Sequence, residues 1–334
     1  MIRITFPILI TLLLFSCNAK KANSKYISNE GFIYGTIYHI TYESPDGNDL
    51  KAGIEKELNM LDISVSTFNK ESVLSKVNRN EDVILDNYFV KVFNKAIEVS
   101  EISGGAFDVT VAPLVNAWGF GFKAKENVTA SLIDSILDFV GYQKVKIENN
   151  IIVKDDPRTM LDFSAIAKGY AVDVAGDYLK RMGCKNYMVE IGGEVVARGV
   201  NKEGKTWRIG INKPKDNEPI TPSELEAIIS LPDKAIATSG NYRNFYIENG
   251  KKYAHTINPH TGYPVDHNLL SASVIADDCM TADAYATACM VLGVEKTIEM
   301  SSKVPGIEIM LIYSDEEGNN QIKFTKRFES YIEK

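Results

Sequence analysis

Residues that favour strands crowd the stretch 31–42. Phe32, Ile33, Tyr34, Ile37, Tyr38, Ile40 and Tyr42 predict a strand pair or one long strand. Apolar residues at helical spacing then predict helices over 50–61 and 88–102, the second stopping at Gly104-Gly105. A shorter helix is expected over 132–140, ending at Gly141, and a hairpin over 145–153 about the turn 148–150. A helix over 164–182, closed by Gly183, divides the chain. Strand patterns dominate beyond it, at 186–197, 206–212, 225–231, 235–239, 244–247, 253–257 and 270–276. Helices return at 280–292 and 294–302, and strands at 307–313 and 321–324 flank a final turn. Helices and hairpins are interleaved without a regular βαβ rhythm, so the expected class is α+β with mainly antiparallel strands. No G-x-G-x-x-G follows a strand and no G-x-x-x-x-G-K-[ST] occurs, which leaves no Rossmann or P-loop unit.

The start of the chain breaks this pattern. Arg3 precedes an apolar run over 4–15, and Ser16-Cys17 follows. The run is too short for an ordinary spanning helix and fits a secretory signal. The Ser16-Cys17 pair resembles a bacterial lipobox, in which the cysteine is lipidated; an exported protein with an incidental cysteine is the alternative. The expected organisation is a signal peptide over 1–17 with Cys17 as anchor, a polar tether over 18–30, and one domain over 31–334.

With 334 residues, 45% hydrophobic and 24% charged, the chain can bury a large core. A formal charge of −7 without a basic stripe argues against general nucleic-acid binding. Besides Cys17 there are three cysteines, Cys184, Cys279 and Cys289, with neither C-x-x-C spacing nor an even count for pairing. Four histidines are too few for a histidine-rich metal centre.

Candidate chemistry is concentrated in a few segments. Asp283 and Thr287 stand four apart in a helical run, so a carboxylate and a hydroxyl share one face. Both are hard oxygen donors of the kind Mg²⁺ takes in ones and twos, keeping room for water and phosphate. The same pair also reads as a dipole-complementing Asp and a back-bonding Thr. The segment 103–121 is rich in Gly and aromatics; Phe107 and Trp118 could stack on a planar ring or simply fill the core. Lys168 stands near the start of the 164–182 helix, where an anion would be favoured, although a solvated lysine is the ordinary alternative. His255 leaves a strand into a loop stiffened by Pro259 and Pro264. Its side-chain type suits a general base near neutral pH.

Taken in order, these pieces resemble one family. They are Gly35-Thr36, Ser66-Thr67-Phe68, Phe107-Asp108-x-Thr110-x-x-Pro113, Trp118-Gly119 and Asp162-Phe-Ser-Ala-Ile-Ala-Lys168-Gly169. Gly192-Gly193, Ala237-Thr238-Ser239-Gly240, His255-x-x-x-Pro259-x-Thr261-Gly262-x-Pro264 and Ala282-Asp283-Ala284-x-x-Thr287 complete the set. Together they resemble the FAD:protein FMN transferase (ApbE) family over about 31–313.

The resemblance implies a Mg²⁺-dependent enzyme, lipid-anchored to the inner or outer membrane on the periplasmic side of a bacterium. It would move FMN from FAD to a Ser or Thr hydroxyl of a target protein, with release of AMP. The target would carry a flavinylation motif, often within an electron-transfer subunit. By the same resemblance Asp283, Thr287 and the main-chain carbonyl of Ala165 would hold the metal. Tyr34, Ser66, Thr67, Phe68, Ala106, Phe107, Asp108, Asp162, Lys168 and His255 would line FAD, with His255 as catalytic base. Two departures stand out: Tyr34 where the family often has Met, and Glu190 and Glu194 around Gly192-Gly193 where Asn or Asp is usual. A Mg²⁺-dependent FAD pyrophosphatase would use the same groups with water as acceptor. A non-catalytic flavin-binding lipoprotein would need the loops but not the metal pair.

Overall fold

The computed structural model describes residues 24–121, 126–214, 225–242, 245–248 and 250–333. The expected signal peptide, Cys17 and the first part of the tether lie outside them. In chain order the elements are β1 (Lys25–Ile33), β2 (Thr36–Ser44), α1 (Lys51–Val65), α2 (Val73–Asn78), α3 (Asn87–Ile102), α4 (Ala112–Ala117) and α5 (Ala130–Leu137). There follow β3 (Val145–Glu148), β4 (Ile151–Lys154), α6 (Ala167–Arg181), β5 (Tyr187–Ile191), β6 (Glu194–Arg198), β7 (Arg208–Asn212) and β8 (Leu225–Ser230). The rest are β9 (Ala235–Gly240), β10 (Phe245–Glu248), β11 (Lys251–Ala254), β12 (Leu269–Ala276), α7 (Cys279–Ser301), β13 (Glu308–Ser314) and β14 (Asn320–Phe324).

Eight strands form one sheet in the order β1-β2-β5-β6-β9-β12-β13-β14. Every pairing in it is antiparallel, which bears out the expected α+β class. The central strands are buried on both faces, and alternate side chains serve two cores. Val196, Ala237, Val274, Ile309 and Leu311 join the large core under the helices. Val195, Ile236, Ile275, Met310 and Ile312 point the other way, against Trp207, Ile229 and Phe328. The helical layer rests on full burial: Phe89, Val92 and Val99 of α3 have no exposed surface. Each such side chain is worth about 1.5–3 kcal/mol relative to exposure.

Local signals fix the helix starts. Asp86 accepts the Phe89 N–H at 2.9 Å to cap α3, and Asp278 accepts the Thr281 N–H at 2.8 Å to cap α7. The two helices expected at 280–292 and 294–302 form one element bent at Gly293, whose φ of 74° interrupts the helical path. The stretch 31–42 is a strand pair whose turn is Tyr34-Gly35, with φ of 52° and 75°. Its first strand begins at Lys25, so residues 25–30, expected as tether, are paired with β2. Short helices α2 and α4 were not legible, and the helix expected from 164 begins at Ala167. The strand expected over 253–257 ends at Ala254, where the His255 loop leaves the hairpin.

Candidate active site

A cleft of about 500 Å³ opens where the first turn of α6, the N-terminal half of α7 and the β5–β6 turn converge. Asp283, Thr287, Ala165, Lys168, Asp162, Thr67, Phe68, Ala106, Phe107, Asp108 and His255 all line it. Tyr34 and Ser66 do not; they line an adjoining cavity of about 680 Å³ that shares Thr67, Phe68, Ser164 and Lys168 with the first. The candidate residues, drawn from nearly the whole length of the domain, thus occupy two neighbouring hollows.

The metal-type donors sit where the sequence spacing put them, one turn apart on α7. Asp283 is 4% exposed, and its Oδ2 accepts the Gly169 N–H at 2.9 Å. That contact requires glycine: a Cβ on residue 169 would lie 2.3 Å from the Cys279 carbonyl oxygen and 2.7 Å from the Asp283 Cβ. Thr287 Oγ1 is 3.3 Å from Ser239 Oγ at the end of β9, which orients the hydroxyl. Burial pushes the Asp283 carboxyl up, against the pull of the Lys168 ammonium and the Gly169 amide.

Lys168 is not a free point charge. Its Nζ donates to Glu194 Oε1 at 2.6 Å; the Lys168 side chain is 37% exposed and that of Glu194 only 4%. Burial pulls the ammonium down, but Glu194 and Asp283 outweigh it and hold Lys168 above its ordinary value. Burial pushes Glu194 up to about 7 despite Lys168. The second Glu194 oxygen, Oε2, is buried without a hydrogen-bond partner. Two buried carboxylates therefore share one ammonium, an arrangement that leaves the cleft short of positive charge.

This donor set fits a divalent cation of the Mg²⁺ kind. Among the described residues no group of three or more His, Cys, Asp or Glu side chains could hold a metal. A site of one carboxylate, one hydroxyl and one main-chain carbonyl is oxygen-only and sparse, as suits an ion that keeps waters and phosphate oxygens. Asp283, Thr287 and Ala165 all face the cleft and could supply it.

The remaining candidates divide by role. Thr67 Oγ1 donates to Asp162 Oδ1 at 3.0 Å, and Asp162 also accepts the Ser164 N–H at 2.8 Å, tying the loop after α1 to the approach to α6. The Asp108 carboxylate is spent on the loop itself. It accepts from the Thr110 amide at 2.8 Å and hydroxyl at 2.6 Å and from the Tyr142 amide at 2.8 Å, although burial pushes its carboxyl up. Tyr34 donates its hydroxyl to the Leu58 carbonyl, and burial raises that phenol well above its usual range. Phe107 lines the cleft while packing in the large core, and Phe68 stands 70% exposed beside both cavities.

Of the two alternatives for Trp118, the structure takes the core. Trp118 lines neither cavity. It is buried in a small core of its own, stacks on Tyr253 at 5.6 Å, and donates its indole N–H to the Gly262 carbonyl at 2.8 Å. It therefore anchors the His255–Pro264 loop and cannot stack on a ligand in the cleft. His255 itself faces the cleft, with Phe120 edge-on at 6.4 Å.

Sequence reasoning noticed Glu194 only as a departure, whereas the structure makes it the partner of Lys168. The signal was available: a charged residue opening the apolar run Val195-Val196-Ala197 is rarely there without a partner. Ser239 was visible as a motif member, but its contact with Thr287 spans 48 positions of sequence and follows from no local rule.

Residues 34–311 match the ApbE family. A Vibrio cholerae serotype O1 protein described as FAD:protein FMN transferase is 38% identical over 319 residues, covering 93% of this chain and 93% of that protein. A protein of the same description from Haemophilus influenzae is 38% identical, covering 86% of this chain and 87% of its own. The solved structure of the flavin transferase ApbE from Vibrio cholerae superposes with a TM-score of 0.82 at 36% identity, over 92% of this chain and 99% of that one. The ApbE protein of Thermotoga maritima gives 0.81 at 28% identity, over 93% and 100%.

Proposed function

The chain belongs to the ApbE family, and from that premise we propose that it is an FAD:protein FMN transferase working in the cleft between α6 and α7. The observation that carries the reading is the convergence of Asp283, Thr287, Lys168 and His255 on one cavity.

Transfer joins a Ser or Thr oxygen of the acceptor to the FMN phosphorus and breaks the bond from that phosphorus to the oxygen bridging to AMP. Such a reaction needs alignment, charge neutralisation and removal of one proton. His255 accepts the proton of the acceptor hydroxyl. Lys168, which lines the cleft, would turn its ammonium from Glu194 toward a phosphate oxygen of the leaving AMP. Mg²⁺ held by Asp283, Thr287 and the Ala165 carbonyl would neutralise phosphate oxygens and help hold the pyrophosphate in line. The adjoining cavity bounded by Tyr34, Ser66 and Phe68 gives an extended dinucleotide room beyond the reacting phosphates.

We also propose that Cys17 carries a lipid and holds the domain at the periplasmic face of a membrane, where the acceptor is an electron-transfer subunit with a Ser/Thr motif. The apolar run before Ser16-Cys17 supports this. No helix among the described residues is long and apolar enough to cross a membrane. Fatty-acid labelling that persists in Cys17→Ser would refute Cys17 as the anchor.

The activity is tested by incubating pure protein with FAD and Mg²⁺, with and without an acceptor, and measuring AMP, free FMN and protein-bound flavin. Bound flavin and AMP should rise together only when acceptor is present. Equal AMP and free FMN regardless of acceptor would establish a pyrophosphatase instead, and no AMP in either case would refute both.

A further inference from the structure

α7 carries two of the side chains that face the pyrophosphate site, so its position along and about its own axis sets where they point. A helix start leaves its first four N–H groups without intrahelical partners. Asp278, the cap of α7, serves one of them: its carboxylate accepts from Thr281 at 2.8 Å, while its carbonyl takes the first intrahelical bond, from Ala282 at 3.3 Å. Two more are served from a different helix. Asp173 of α6 accepts the Cys279 N–H on Oδ1 and the Met280 N–H on Oδ2, each at 2.8 Å.

Asp173 follows Gly169 by four residues, so both lie on one face of α6. Gly169 donates to Asp283 Oδ2 at 2.9 Å. α6 therefore grips α7 at two heights, once at the start of the helix and once at the carboxylate itself. Packing on β9 and β12 seats α7 in the core, and these two directional contacts add a fixed register against α6. Asp173 lines neither cavity, so whatever it does for the reaction it does through α7.

We propose that Asp173 is a positioning residue for metal binding: its two-pronged clamp on the Cys279 and Met280 amides sets the register of Asp283 and Thr287. The proposal rests on the reading that these two side chains hold a divalent cation. It explains why a carboxylate sits one turn beyond Lys168-Gly169, where α6 otherwise presents Ala171, Val172 and Ala175 to the core. Outer groups that orient ligands act on metal affinity more than on the fold.

The test uses the full chain with FAD bound and Mn²⁺ as probe, free Mn²⁺ being read by electron paramagnetic resonance. Asp173→Ala should weaken Mn²⁺ binding by about 10- to 100-fold. Asp173→Asn keeps one acceptor and should fall between it and the parent, and it decides the matter alone if the alanine variant does not fold. FAD affinity in chelator should not change. Leu179→Ala, a cavity in the same helix, should lower the melting temperature and leave Mn²⁺ affinity as it was. Unchanged Mn²⁺ affinity in both Asp173 variants, or an equal loss in Leu179→Ala, would overturn the proposal. Asp283→Ala separates the two layers. If it loses Mn²⁺ while the Asp173 variants bind normally, only the clamp is wrong; if it binds Mn²⁺ like the parent, the metal reading falls and the clamp with it.

Discussion

Gly169→Ala puts the α6–α7 contact under the sharpest available strain. One methyl group is added, and its carbon would stand 2.3 Å from the Cys279 oxygen, 2.7 Å from the Asp283 Cβ and 2.8 Å from the Cys279 carbonyl carbon. Two of these three atoms are backbone of α7, which no rotamer change can move. Restoring ordinary contact distances requires the helices to part by about 1 Å at this height. Overpacking of this kind costs about 1–3 kcal/mol. Alanine returns about 1 kcal/mol through its better helix propensity, so the net loss should be about 0–2 kcal/mol. Activity should suffer more than stability. The same displacement stretches the Gly169 amide from Asp283 Oδ2, and a shift of about 1 Å in a positioned group can cost about 10²-fold in rate. AMP release at saturating Mg²⁺, set beside urea unfolding of the same preparation, measures both. Gly176→Ala is the control, because its Cβ would meet only side-chain atoms of Tyr187 and Val196 at 3.3 Å, and it should be near neutral in both assays. Full AMP release from Gly169→Ala, with stability raised by about 1 kcal/mol as propensity alone would give, would show that the helices do not touch as described.

Three further outcomes are expected. His255→Ala should lose transfer by about 10²–10⁴-fold, with FAD affinity little changed, and a defect confined to FAD binding in a titration would make His255 a binding residue. Asp283→Ala should abolish Mg²⁺-dependent AMP release. Its melting temperature in chelator should fall only modestly, because relief of a carboxylate that burial disfavours offsets the lost hydrogen bond from Gly169; a large drop would mean that Asp283 is chiefly structural. Lys154, whose Nζ donates to the Val77 carbonyl at 2.8 Å and Asn80 Oδ1 at 2.9 Å, is lowered by burial to about 8 from 10.5. Between those values the unfolded chain holds a proton that the folded one has released, so stability rises with pH across that window and is lowest below it. In urea unfolding, Lys154→Met should remove that rise, and an identical pH profile in parent and variant would refute the shift.

Much of this protein was legible in one dimension, because the legible features have short range. The spacing of apolar residues marked α1, α3, α6 and α7, and the interruption at Gly293 was anticipated as a boundary between two helices. The Asn149-Asn150 pair, with φ of 48° and 62°, made the turn of the β3–β4 hairpin readable. Asp283 and Thr287 could be paired on paper because helical geometry alone fixes a four-residue interval. α2 and α4 escaped because six-residue helices are too short for periodicity to register. Trp118 was assigned two possible fates, and only the position of Gly262, 144 residues away, chose between them.

The sequence by itself determined where the longer helices and most of the strands form, which residues give them apolar faces, and which residue types were available for phosphate and metal chemistry. Only the tertiary structure decided who stands next to whom: Lys168 beside Glu194, Gly169 against Asp283, Asp173 on the first amides of α7. Those pairings join elements separated by 26, 114 and about 106 residues. The physical reason is that local preferences act within a turn or two of backbone. A buried charge or an unpaired amide finds its partner only when packing brings distant elements together and leaves it no water.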